Sequence, residues 1–162
     1  MQLQENLGLA NYWKVTCLDS NGNVKWEEEK KNLITTVGLN HILDVEFHAT
    51  TQVTTWYIGL KAAGTPAAAN TMASHSSWAE LTGYSGNRKE WTEGAASNGS
   101  MTNGTSVDFT INATATVAGA FLNTAATGTN GTLYGVVDFS SARAVISGDT
   151  LQVTVTVTAA SA

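Results

Sequence analysis

The stretch Leu151-Gln-Val-Thr-Val-Thr-Val-Thr158 alternates apolar and polar residues without a break. Successive side chains of a strand point to opposite faces. The segment therefore reads as one strand with an apolar face of Leu151, Val153, Val155 and Val157 and a hydroxyl-bearing face that includes Thr154 and Thr156. The same period recurs upstream, where Val107, Phe109, Ile111 and Ala113 alternate with Asp108, Thr110, Asn112 and Thr114. Strands are expected over Val117–Asn123, Leu133–Phe139 and a short Arg143–Ile146, with turns at Thr127–Gly131 and Gly148-Asp149.

The N-terminal part carries a different pattern. Asn11–Asp19 and Val24–Lys31 read as two strands joined by Ser20-Asn21-Gly22-Asn23, because Asn-Gly accepts the positive φ angles of a tight hairpin. Residues 1–32 thus form a charged hairpin. Its run Glu27-Glu28-Glu29-Lys30-Lys31 belongs in solvent or at a sheet edge. A helix is predicted over about 37–48, capped by Thr35 or Thr36. Leu39, Ile42, Leu43 and Phe47 share one of its faces and are expected to lie on the sheet. A strand at Gln52–Lys61 follows. Residues 62–104 form a long insertion of small polar residues with the sole proline, Pro66. It is punctuated by Trp78, Leu81, Tyr84 and Trp91, with a short strand near Lys89–Gly94. Roughly seven to nine strands and one short helix make the chain mainly β, a β-sandwich or jelly-roll-like domain spanning residues 1–162.

Charge is sparse, at 13% of residues against about 25% in ordinary globular proteins. Residues 106–162 hold only Asp108, Asp138, Arg143 and Asp149. Such a surface repels neighbours weakly and suits burial among copies or partners, although Thr-rich strands alone also produce it. The net charge of −5 argues against nucleic acid, which calls for clustered cations. No run approaches the roughly 18 apolar residues of a membrane span. No signal peptide is expected in the opening residues. Cys17 is the only cysteine and reads as a small core residue.

Catalytic signatures are missing from the sequence. There is no Gly-X-Ser-X-Gly and no phosphate-cradling glycine loop. His41 and His48 stand two helical turns apart, roughly 10 Å, too far to share a metal ion. The reading is a non-enzyme with no catalytic, cofactor-binding or metal-binding residues and no cofactor. Glu80, Glu90 and Glu93 are the carboxylates nearest the aromatic residues. Trp78, Tyr84 and Trp91 would either stack on sugar rings or anchor the loop that carries them. With Thr154 and Thr156 they make up the candidate interaction residues. The uncharged half, including Leu151–Thr158 or the 62–104 stretch, is expected to make the main contact with neighbours, leaving the hairpin solvated.

Four segments carry a further signal: Val53-Thr-Thr-Trp-Tyr-Ile-Gly-Leu60, Trp78-Ala-Glu-Leu-Thr-Gly-Tyr84, Val117-Ala-Gly-Ala-Phe-Leu122 and Gly148-Asp-Thr-Leu-Gln-Val-Thr-Val-Thr-Val-Thr158. Together they resemble small proteins encoded in tailed-bacteriophage genomes near virion structural genes, from about Leu33 to the end. The resemblance implies a virion component made in the bacterial host cytoplasm and built into the particle as a homo-oligomer. The preferred role is capsid decoration or cement, bridging the major capsid protein or other virion proteins. The alternative is a carbohydrate-binding module of a tail or fibre. The resemblance carries no functional residue with it.

Overall fold

A computed structural model describes residues 7–161. In chain order the elements begin with β1 (Leu7–Leu18), β2 (Val24–Lys31), β3 (Leu33–Ile34), α1 (Thr36–Phe47), β4 (Trp56–Gly64) and β5 (Trp78–Glu80). They continue with β6 (Lys89–Trp91), β7 (Ser100–Thr102), β8 (Val107–Thr110), β9 (Ala115–Asn123), β10 (Leu133–Val145) and β11 (Thr150–Ser161). One antiparallel sheet runs β2-β1-β11, with β7 and β8 sharing the far edge of β11. The other runs β3-β10-β9-β4, with β5 and β6 sharing the far edge of β4. Their inner faces interdigitate as a β-sandwich.

The alternation of β11 decides which residues fill that core. Leu151, Val153 and Val155 are buried with Trp13, Val15 and Cys17 of β1, facing Ile58, Leu60, Leu122 and Val137 of the opposite sheet. β11 is a central strand, paired with β1 along Leu7–Leu18 and with β8 and β7 on its other side. Pairing with another molecule through its edge is therefore closed. One edge of this sheet is β2, whose glutamates and lysines discourage further pairing, and the short strands β7 and β8 form the other.

The second sheet is covered on its outer face too. Phe121, Leu133 and Val136 turn outward and are sealed by Met72 and Trp78 from the 62–104 stretch, with Val37 of α1 alongside. Gly59 makes this possible, since a Cβ there would stand 2.2 Å from the Phe121 ring. The 62–104 stretch thereby gives strands to both sheets as well as a cover to one.

Two expectations need correction. The helix forms at Thr36–Phe47, capped by Thr35, whose Oγ1 accepts a hydrogen bond from Gly38 N at 3.1 Å. Its docking face, however, is not the one bearing the largest side chains. Of Leu39, Ile42, Leu43 and Phe47 only Ile42 packs on the core. Leu39, Leu43 and Phe47 are 40%, 53% and 81% exposed. Gly38 chooses the seam: it lies so close to β10 that a Cβ would come 2.3 Å from Tyr134 O. Val37, His41, Ile42 and Val45 follow it round the half-buried side. The second correction concerns β10, which is one strand and not two. It bulges between Asp138 and Arg143, and Glu28 holds the bulge by accepting hydrogen bonds from Ser140 N (2.6 Å) and Arg143 Nη2 (3.1 Å).

Candidate interaction surfaces

The three aromatic residues singled out in the loop occupy three separate positions, all buried. Trp78 lies over Phe121 with ring centroids 5.2 Å apart, flanked by His75 at 4.1 Å. Burial pushes the His75 imidazole below its usual pKa. Tyr84 meets Phe109 edge-on at 4.9 Å in the main core, and burial drives its phenol far above the ordinary value. Trp91 donates from Nε1 to Asn103 Oδ1 at 3.0 Å. None of these rings offers a face for a sugar to stack on in this conformation, and no two are presented together. Each anchors loop to sheet.

Asn103 is the residue that sequence reasoning missed. β8 pairs with Thr150–Val153 and β7 with Thr156–Thr158, leaving a gap between them on that edge of β11. The Asn103 amide fills the gap. Its Oδ1 also accepts from Val155 N (2.8 Å), and its Nδ2 donates to Val153 O (3.1 Å) and Thr105 O (2.8 Å). An asparagine within Met-Thr-Asn-Gly-Thr reads as an ordinary turn residue, so nothing local announces this role.

Thr154 and Thr156 lie on the outer face of β11, opposite Lys14 and Tyr12 of β1. With Tyr12, Lys14, Glu29 and Lys31 they border an open depression of about 590 Å³. Lys14 is shared between Glu27 (3.8 Å) and Glu29 (4.0 Å), all well exposed, a weak surface network. A second surface is apolar. Leu43 and Phe47 border a groove of about 360 Å³ floored by Ile42, Val53 and Trp56.

Among the described residues no three His, Cys, Asp or Glu side chains converge as a ligand set. Burial and then the Asp149 charge raise the Cys17 thiol to about 11, so it stays protonated at neutral pH. No helix among the described residues is long and apolar enough to cross a membrane.

With Trp78, Tyr84 and Trp91 buried against its sheets, the fold is a β-sandwich module. Residues 33–160 match the family model described as Podophage GP4 fiber I protein gp80, and the chain belongs to that family. It is accordingly a tailed-phage virion protein. No curated protein matches it significantly.

Proposed function

We propose that the chain is a non-enzymatic structural part of the phage fibre, working by packing against copies of itself and other virion proteins. The observation that carries this reading is the family match over residues 33–160. The buried Trp78, Tyr84 and Trp91 support it, because rings committed to the core serve stiffness. The exposed Leu39, Leu43 and Phe47 support it as well, since apolar surface of this kind marks a contact with another protein. Capsid cementing would draw on the same physics of surface burial, but the family description favours the fibre. A glycan-reading role would have to use the depression beside Tyr12, Thr154 and Thr156. Gold-labelled antibody against the purified chain, viewed on native particles by electron microscopy, tests the placement. Label along fibres is expected. Label spread over the shell would replace this reading with the cement role, and unlabelled particles would sink both.

A further inference from the structure

The β1–β2 hairpin is the least local part of the fold. Its two strands pair with each other through the Ser20–Asn23 turn, and β1 then fills the centre of a sheet otherwise built from the C-terminal half. Between Lys31, the end of β2, and Leu33, the start of β3 in the opposite sheet, there is a single residue, Asn32. The family match begins at residue 33, on the far side of that joint.

We infer that this hairpin can be exchanged between copies, so that β1 of one molecule completes the sheet of the next by pairing with its β11. Three observations converge on the joint. First, a one-residue link gives the chain no slack for folding back, the situation that favours exchange over self-closure. Second, neither side-chain amide atom of Asn32 has a hydrogen-bond partner, although both are sealed from solvent. Nδ2 is pressed against β10 so tightly that a Cβ on Gly135 would lie 2.4 Å away. Closing the hinge therefore carries a desolvation cost that opening it relieves. Third, the seat is built to receive a strand. Without β1, β11 would show an uncharged Val/Thr edge with nothing to repel an incoming backbone.

Every other contact of the hairpin is regenerated when a second copy supplies it. Trp13, Val15 and Cys17 enter the same core. Lys25 meets the buried Asp149, and Glu28 holds the Ser140–Arg143 bulge, whichever chain they come from. The balance between closed and exchanged forms thus rests on the hinge and on concentration. Exchange of one hairpin into the next copy is a head-to-tail contact, which propagates as an open filament unless its rotation closes a ring. The inference deepens the fibre reading by naming the partner as a second copy of this chain. Because β1 is buried, exchange takes place during folding and not from the finished monomer.

The test uses two full-length variants, both carrying Cys17→Ala, one with Lys14→Cys and the other with Thr154→Cys. Positions 14 and 154 are register partners on the outer face. The two chains are refolded together at high concentration, oxidised with diamide, and separated on a non-reducing gel. Exchange predicts a disulfide between position 14 of one chain and position 154 of the other. Such heterodimers should exceed either homodimer at least about tenfold, since exchange alone holds the two positions opposite each other. Inserting Gly-Ser pairs on both sides of Asn32 should return the mixture to monomers. Heterodimers no more abundant than homodimers, or monomers alone, would overturn the exchange without touching a fibre placement established by labelling. Absence of label from the fibre would sink that placement while leaving an observed exchange intact.

Discussion

Lys61 of β4 reaches Asp138 of β10 across the whole width of β9, Nζ to Oδ1 at 2.8 Å, by laying its stem over Gly119. The three residues are register partners in one row, Lys61 opposite Gly119 and Gly119 opposite Asp138. A Cβ at 119 would stand 2.0 Å from Val137 O and 3.1 Å from Lys61 Cε. The pair is lopsided: Lys61 is 1% exposed and Asp138 40%. Removing the carboxylate leaves a buried cation with no counter-charge and only the Gly64 carbonyl to accept from it, whereas removing the cation leaves a carboxylate that water can reach. Asp138→Ala should therefore cost about 3 kcal/mol or more and Lys61→Met about 1 kcal/mol or less. Chemical denaturation of both variants checks the order, and equal losses would mean that Lys61 is hydrated after all.

The helix supplies a second contrast. Gly38→Ala should destabilise by about 3 kcal/mol, because the new methyl meets backbone that cannot yield. Phe47→Ala should stay within about 0.5 kcal/mol, as expected for an exposed side chain. Reversed magnitudes would show that Phe47 is packed on this same molecule.

Glu28 sets a pH dependence. Burial alone would raise its carboxyl, but hydrogen bonds from Ser140 and Arg143 outweigh that and hold it below the ordinary glutamate value of 4.5. The stability it supplies is complete above 4.5 and is lost as pH falls through the lowered folded value. Thermal unfolding followed from about pH 6 to pH 3 should show a decline. Glu28→Gln should flatten it. An unchanged slope in the variant would assign the acid sensitivity to other carboxylates.

Asn103 and Trp91 should prove coupled. Asn103→Ala leaves Trp91 Nε1 and Val155 N buried without acceptors and should cost about 2–4 kcal/mol. Trp91→Phe keeps much of the ring and removes one of those donors. The double variant should be about 1 kcal/mol more stable than the sum of the single losses predicts. Strict additivity would mean that the hydrogen bond contributes nothing measurable.

Much of this fold is visible locally. The period of two in β11, the Asn21-Gly22 turn and the helix, which starts and ends one residue early, each arise within a few residues, whereas β8 stops at Thr110 although its alternation runs on to Thr114. The rest depends on what lies far away in the chain. The apolar face Leu39–Leu43–Phe47 is a sound helical pattern, yet the absence of a side chain at Gly38 against Tyr134 overrides it. Whether Trp78, Tyr84 and Trp91 would stack on a ligand or on Phe121, Phe109 and Asn103 could not be told from spacing, because tertiary contacts decide it. Asn103 itself stands in for a missing piece of strand, and no periodicity marks a substitute of that kind.

The outer cover of Met72 and Trp78 has a consequence for how the molecule opens with time. β9 and β10 carry apolar clusters on both faces, while much of β1 and β11 turns its outer side to water. Backbone amides of β9 are thus the ones that solvent deuterium should reach last, through global unfolding, and those of the β1–β2 arm should be labelled earlier through partial opening. The doubly covered sheet then acts as a rigid wall, and the hairpin side frays against it without β1 leaving its place between β2 and β11.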